Sequence, residues 1–205
     1  MNDFKAAVAE DKMGRAAEMK EEIEFALSKE PQCSYILDRI ADGRIKLCVT
    51  HNDTKLNNVL MDAETGEGVC IIDLDTVMPG SVLYDFGDAI RFGASSAAED
   101  ETDLDKVYVD LEMFETFVKG FVGELHDSMT EEEILSLPMG AYLLTLETGM
   151  RFLGDFINGD VYFKTAYPEH NLVRSRTQFA LVADMENKMS EMENIVKKCC
   201  EELGI

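Results

Sequence analysis

The sequence predicts a mainly α-helical α+β fold with one small β-hairpin. Apolar residues recur at helical intervals through most of the chain. Short runs of apolar and β-branched residues are concentrated between residues 45 and 74, where Gly, Asp and Thr separate two of them. With 205 residues and 46% hydrophobic content, the chain is long enough to bury one core of its own. We therefore expect a single domain over residues 1–205.

The N-terminal third of the chain predicts two helices followed by a strand. An amphipathic helix is expected over residues 3–30, ended by Pro31. A second, short helix is expected over residues 35–41, before Gly43. Residues 45–50 are apolar and β-branched, which is typical of a strand.

A β-hairpin and a series of helices follow. Residues 58–61 and 69–74 are predicted to pair, because the residues between them are typical of a turn. Helices are expected over residues 84–92 and 110–125. Another helix is expected to open on a capping box at residues 130–133 and to continue to Phe156, with Pro138 near its start and Gly159 after it.

The last predicted helix covers residues 171–203 and carries an apolar stripe with alternating steps of four and three. Its members are Met185, Met189, Met192, Val196, Cys199 and Leu203. This spacing favours helix packing, for which the N-terminal helix is one candidate partner. A methionine-rich stripe is also compatible with a binding face for another protein or a second copy of the chain.

Charge and cysteine content restrict the classes of function. The net charge of −22, without a basic cluster, disfavours nucleic-acid backbones and anionic membranes as partners. Residues 99–133 are especially acidic, which favours a solvated surface over a docking site for a basic partner. Five cysteines without paired spacing argue against a disulfide framework or a zinc site. No segment has the ~18 apolar residues of a membrane span, so we expect a cytoplasmic protein.

A polar motif follows the predicted strand. His51, Asp53, Lys55 and Asn58 have the same register as the catalytic loop H-R-D-x-K-x-x-N of protein kinases. Asp73 follows the predicted hairpin, so the fold is expected to bring it to the same loops. Phosphoryl transfer requires a carboxylate beside the acceptor hydroxyl and oxygen ligands for Mg²⁺, and these residue types supply both.

Residues 49–91 resemble the aminoglycoside phosphotransferase and choline kinase superfamily, whose members carry H-x-D-x-x-x-x-N followed by I-D-x-D. More narrowly, residues 51–60 and 147–153 are similar to N-acetylhexosamine kinases, and the resemblance runs from about residue 30 to the C-terminus. It implies a protein-kinase-like C-terminal lobe that transfers phosphate from ATP, with Mg²⁺, to a sugar hydroxyl.

The resemblance also implies roles for single residues. Asp53 would be the catalytic base in contact with the substrate, and Asn58 and Asp73 would hold Mg²⁺. Asp75 would be a further metal residue or would support one. We interpret His51 as a residue that orients the loop by hydrogen bonding rather than as a base.

Four residues keep two interpretations each. Lys55 either contacts the transferred phosphate or is a solvated lysine. Arg151 and Tyr162 either contact the sugar or are ordinary surface residues. Asp85 is either a first-turn acid of the helix over residues 84–92 or a tether of the catalytic loop.

The expected organisation is that of one lobe of a kinase. Residues 1–44 would form a helical segment, residues 45–93 the catalytic and metal loops, and residues 94–205 a helical substrate-binding part. The residues before His51 contain no glycine-rich loop and no strand lysine, so the ATP-gripping lobe is expected to be absent and to come from elsewhere. A separate chain is one source of that lobe. The alternative is a catalytically silent lobe that binds a sugar or a protein.

Overall fold

The structure is a computed structural model that describes all residues, Met1–Ile205. It confirms the predicted mainly helical α+β class. The four strands are β1 (Cys48–Thr50), β2 (Val59–Met61), β3 (Gly68–Ile71) and β4 (Met78–Gly80). The eight α-helices are α1 (Asn2–Glu10), α2 (Lys20–Ser28), α3 (Tyr35–Ala41), α4 (Val82–Gly93), α5 (Leu111–Leu125), α6 (Glu131–Leu135), α7 (Leu137–Asn158) and α8 (His170–Leu203).

The chain packs into two compact units, which we describe separately. The first unit consists of Met1–Tyr35, Ser95–Val109 and Tyr142–Lys188. The second unit consists of Ile36–Ala94, Asp110–Ala141 and Met189–Ile205.

Aromatic packing and one polar cluster hold the first unit together. The Phe25 ring of α2 packs on the Phe179 ring of α8, with centroids 5.1 Å apart. Tyr142 of α7 is buried and donates to Glu186 of α8 at 2.9 Å, and Lys29 donates to the same carboxylate at 2.7 Å. The cluster satisfies polar groups that would otherwise be costly to bury.

The predicted helix over residues 3–30 is interrupted, which corrects the sequence-based expectation. Asp11 and Gly14 have left-handed backbone conformations, with φ of 39° and 68°. The Asp11 carboxylate accepts from the Ala16 N–H at 3.0 Å, so a local side-chain bond replaces the helical pattern. Two shorter helices, α1 and α2, result.

The strands of the second unit form two antiparallel ribbons. β2 pairs with β3, which is the predicted hairpin. β1 pairs with β4, a strand that sequence reasoning did not predict, and Thr50 lies opposite Met78. The β1–β4 ribbon is important for the site because β4 ends immediately before helix α4. That helix begins at Val82, with Ser81 as its N-cap.

Helix α4 packs beside β1 and against α5. Phe86 of α4 is fully buried, and its ring lies 5.9 Å from Phe114 and 5.1 Å from Phe121 of α5. The predicted capping box is present at α6, where Glu133 accepts from the Thr130 N–H at 2.7 Å. Glu133 also accepts from the Lys46 N–H at 2.7 Å and so fixes the chain that leads into β1.

The predicted helix over residues 130–156 is divided into α6 and α7 at Ser136. Pro138 lies in the first turn of α7, where a missing N–H is tolerated. The apolar stripe of α8 is largely buried, as expected for helix packing, since Met185, Met192, Val196 and Cys199 have no exposed surface. None of the helices has both the length and the apolar character that crossing a bilayer requires.

We expect Gly80→Ala to lower the free energy of unfolding by about 1–3 kcal/mol, because a methyl group there would overlap the Thr50 hydroxyl. That hydroxyl cannot easily move, since its single hydrogen is shared between the Met78 carbonyl at 3.1 Å across the ribbon and the Asn52 side-chain oxygen at 3.0 Å. Thermal and urea unfolding measure the effect. Gly120→Ala is the matched control, because nothing lies near Gly120 on α5. It should stabilise the protein by about 0.5–1 kcal/mol, and an equal gain for Gly80→Ala would contradict the packing described here.

Candidate active site

The predicted catalytic loop, residues 51–58, begins where β1 ends. Asn52 has a left-handed conformation, with φ of 62°, which asparagine tolerates better than most residues. Its side chain donates to the Thr76 carbonyl at 3.0 Å and accepts from the Thr50 hydroxyl at 3.0 Å. Asn52 thereby joins the end of β1 to the segment before β4 and reverses the chain direction toward Asp53.

Asp85 anchors this loop from helix α4. One carboxylate oxygen accepts from the His51 N–H at 2.9 Å, and the other accepts from the Asn52 N–H at 2.7 Å. The Thr54 hydroxyl donates to the Asp85 carbonyl at 2.6 Å. Asp85 also lies in the first turn of α4, where its charge is favourable. The structure therefore shows contacts for both interpretations of this residue.

His51 connects the loop to the segment before Asp73. Its Nε2 atom lies 3.0 Å from the Ile72 carbonyl, and a carbonyl oxygen can only accept, so Nε2 carries the hydrogen. The Thr76 hydroxyl donates to the His51 carbonyl at 2.6 Å, and Nδ1 is buried without a partner. These contacts place His51 as a structural link and leave Nδ1 away from solvent.

The Asp53 carboxylate is held at one oxygen only. Its Oδ2 atom accepts from Lys55 Nζ and from Asn58 Nδ2, each at 2.8 Å. Oδ1 accepts no hydrogen bond from the protein and is therefore available to a substrate hydroxyl. Burial raises the pKa of Asp53, but the Lys55 and Asn58 hydrogen bonds outweigh it, and the net pKa lies below the usual range. Asp53 is thus ionised at neutral pH, a weak base and a good acceptor for orienting a hydroxyl.

The Asn58 side chain is fixed with its amide nitrogen toward Asp53. It is buried, and its Nδ2 atom donates both to the Asp53 carboxylate and to the Asp53 carbonyl at 2.8 Å. Because both neighbours are acceptors, the amide nitrogen must face them, and the carbonyl oxygen Oδ1 faces away. That oxygen accepts no hydrogen bond from the protein, and amide oxygens are hard ligands suited to Mg²⁺.

Asp73 and Asp75 are exposed carboxylates at the end of the hairpin. Asp73 has a left-handed conformation, with φ of 64°, and neither side chain forms a hydrogen bond or an ion pair. They do not join a third acidic, His or Cys residue in a cluster able to hold a metal by itself. Mg²⁺ usually takes one or two carboxylates and completes its shell with phosphate oxygens and water, so this sparse set with Asn58 fits that ion.

The remaining predicted site residues lie in the first unit. The Arg151 guanidinium lies 5.6 Å from the Tyr162 ring centroid and 5.5 Å from the Phe163 ring centroid. Tyr162 is 73% exposed, and Arg151 is exposed as well. The structure therefore brings Arg151 and Tyr162 together within the first unit.

Sequence reasoning missed several residues that shape the loop: Thr50, Asn52, Thr54, Thr76 and Gly80. Two signals were available in the sequence. Asparagine tolerates the left-handed turn that Asn52 makes between His51 and Asp53. Threonine next to a motif of this kind is well suited to bonding a neighbouring carbonyl. The carbonyls that Thr54 and Thr76 reach, however, are more than 20 residues away in the chain.

Comparison with protein families agrees with this geometry. The model of the APH phosphotransferase enzyme family matches residues 2–112. The match contains the catalytic loop, the hairpin, Asp73 and Asp85. The match begins nearer the N-terminus than the resemblance, which we expect to begin at about residue 30. Residues 147–153, which carry part of the similarity to N-acetylhexosamine kinases, lie outside the match. Because the matched region is more than half of the chain, the protein belongs to the phosphotransferase enzyme family.

Proposed function

We propose that this protein transfers the γ-phosphoryl group of ATP to a hydroxyl of a small molecule, and that the acceptor is an N-acetylhexosamine. The observation that carries the proposal is the Asp53 carboxylate. Lys55 and Asn58 fix one of its oxygens, and the other is free for an acceptor hydroxyl. Membership of a phosphotransferase family supports the reaction class.

The residues in and around the catalytic loop have different roles in the proposed reaction. Asp53 orients the acceptor hydroxyl and takes its proton as the acceptor oxygen bonds to the γ-phosphorus and the bond from that phosphorus to the leaving ADP breaks. Asn58 and Asp73 would hold Mg²⁺, with Asp75 beside them, and the ion when bound neutralises charge on the phosphate oxygens. Lys55 fixes Asp53 and places positive charge near the transferred group. His51 and Asp85 keep the loop in shape.

The proposed acceptor rests on the first unit. Arg151 can donate to sugar hydroxyls or to an acetamido oxygen, and Tyr162 offers an aromatic face with a hydrogen-bonding tip. The similarity of residues 51–60 and 147–153 to N-acetylhexosamine kinases supports the same class of acceptor. A sugar also suits a surface where both side chains are exposed.

We further propose that an ATP-gripping lobe binds the strand face, which we define as the exposed apolar residues on and beside the two ribbons. They are Leu47, Val49, Leu60, Met61, Val69, Ile71, Ile72, Leu74, Val77 and Met78. Each ribbon has only two strands, so every strand has a free edge. An apolar surface of this extent is typical of an interface, whether the lobe belongs to this polypeptide or to another.

We expect Asp53→Asn to lower kcat by about 10²–10⁴-fold, because the amide cannot take the proton of the acceptor. Radiolabelled transfer from ATP to GlcNAc, GalNAc and a panel of amino alcohols measures it. Asp127→Asn is the control, since this aspartate side chain is 96% exposed. Near-full turnover of Asp53→Asn would refute the assignment, and absence of transfer by the wild type would favour the catalytically silent module.

We expect Asp85→Asn to lower kcat by on the order of 10²-fold, because a small displacement of the catalytic loop is enough for that loss. The asparagine amide nitrogen, a donor, would face one of the two backbone N–H groups that now donate to the carboxylate. That hydrogen bond would be lost. Asp88→Asn is the matched control on α4, because Asp88 is a buried aspartate of the same helix and pairs with Arg91 at 2.8 Å. Unfolding and steady-state kinetics should show lost stability in both variants but lost kcat only in Asp85→Asn.

We expect Val49→Lys combined with Val69→Lys to raise the KM for ATP roughly tenfold or more, equivalent to about 1.4 kcal/mol of lost binding. These side chains are 78% and 66% exposed, so the fold should be unaffected. Leu37→Lys is the control, as an apolar residue of α3 that is 60% exposed. An unchanged KM for ATP in the double variant would remove the strand face as the interface.

A further inference from the structure

Residues 159–164 form a tight loop after α7, which we call the recognition loop. Gly159 and Asp160 have left-handed conformations, with φ of 99° and 60°. The Asp160 N–H donates to the Asp155 carbonyl at 2.8 Å and closes the end of the helix. The loop then exposes Val161 and Tyr162, which are 81% and 73% accessible. Two large side chains are thus presented to solvent by a sharply turned backbone.

The Asp155 carboxylate organises this loop from inside α7. Asp155 is only 8% exposed. Its Oδ1 atom accepts from the Val161 N–H at 3.0 Å and the Tyr162 N–H at 2.9 Å. Its Oδ2 atom accepts from the Phe163 N–H at 3.0 Å and from Asn171 Nδ2 at 3.0 Å. Three successive backbone N–H groups converge on one carboxylate, which leaves the loop few alternative conformations.

A second layer of contacts supports the first. Asn171 is fully buried and also donates to Asp160 at 2.9 Å. Arg15 donates to the same Asp160 carboxylate at 2.9 Å and to the Phe156 carbonyl at 2.6 Å. At the far end of the loop, Arg174 donates to the Lys164 carbonyl at 3.1 Å.

The ring of Phe163 turns inward, unlike that of Tyr162. It lies 4.6 Å from the ring of Phe152, which is buried in α7. Tyr162 packs edge-on against Phe163 at 4.8 Å, and the Arg151 guanidinium lies over both rings. The buried hydrogen-bond network of Asp155 therefore supports an exposed pair, the Tyr162 ring and the Arg151 guanidinium. Both contact the Phe163 ring, which is itself packed against Phe152.

The fold gains little burial from Tyr162 itself, which is 73% exposed. Burying a carboxylate and an amide is unfavourable unless they are fully bonded, and here they are bonded to the backbone that carries an exposed tyrosine. Such support is expected where side chains must be fixed before a ligand binds, because preorganisation removes part of the entropy cost of binding.

We propose that Asp155 is the positioning residue of the acceptor site: it holds the recognition loop so that Tyr162 and Arg151 are preorganised for a sugar ring. Asp155 is not expected to touch the sugar, since its two oxygens face backbone N–H groups and Asn171. This inference rests on the proposed function for the identity of the ligand. It goes beyond that function by naming what gives the site its shape.

The test is the affinity of the full chain for GlcNAc, measured by NMR titration without ATP. Asp155→Asn should weaken binding by roughly tenfold, which matches the lower end of the ~10–100-fold loss seen when carboxylates that orient metal ligands are removed. Asp184→Asn is the matched control in the same unit, because Asp184 accepts from the Val109 N–H at 2.7 Å and pairs with Lys188. It should lower the melting temperature without changing the affinity.

A double-mutant cycle with Tyr162→Ala separates positioning from general destabilisation. If Asp155 acts through Tyr162, Asp155→Asn should have little further effect on the affinity once Tyr162 is removed. Additive losses would overturn the proposal. Should Asp155→Asn fail to fold, Asn171→Ala removes only one of the four bonds to Asp155 and should weaken binding by a smaller factor.

The outcomes also separate this inference from the proposed function. Binding of GlcNAc by the wild type without phosphate transfer would contradict the enzymatic proposal, and the loss of affinity in Asp155→Asn would still support the positioning role. Unchanged affinity in Asp155→Asn would overturn the positioning role even where transfer occurs. Absence of any GlcNAc binding by the wild type would overturn the sugar site and the positioning role together.

Discussion

The bonds between the Asp85 carboxylate and the backbone N–H groups of His51 and Asn52 are the constraint on which the rest of the second unit depends. A turn that reverses direction through a left-handed residue exposes N–H groups that no strand partner satisfies. A helix-borne carboxylate accepts two of them at once and is itself favoured near the helix N-terminus. Helix α4, the end of β1 and the position of Asp53 are thereby fixed together.

Helix-borne carboxylates accept from backbone N–H groups of loops at several places in the molecule. Asp85 holds the catalytic loop, Glu133 holds the entry to β1, and Asp155 holds the recognition loop. Each carboxylate lies on a helix and accepts from backbone N–H groups of a loop, which makes bonds that are stronger than those between neutral groups. This explains how a chain with short strands and long helices can still hold its irregular segments in defined conformations.

The catalytic loop also shows how little the proposed chemistry needs. Lys55 and Asn58 lower the pKa of Asp53 against the effect of burial, so the carboxylate is charged and partly bonded before any substrate arrives. The Asn58 amide nitrogen is used in this bond, which leaves its oxygen without a protein partner. One set of hydrogen bonds thus orients both the Asp53 carboxylate and the Asn58 oxygen, to which the proposed function assigns the acceptor and the metal ion.

The sequence by itself determined the helical class, the hairpin, the capping box at α6 and the loop of His51, Asp53, Lys55 and Asn58. These features rest on local periodicity, turn chemistry or fixed spacing, which a linear chain displays directly. The break between α1 and α2 rests on a local bond between Asp11 and Ala16 that the apolar periodicity did not reveal. Only the tertiary structure decided the pairing of β1 with β4 and the partners of Asp85 and Asp155. Those depend on which distant N–H groups lack a partner once the chain has folded, and no local pattern encodes that.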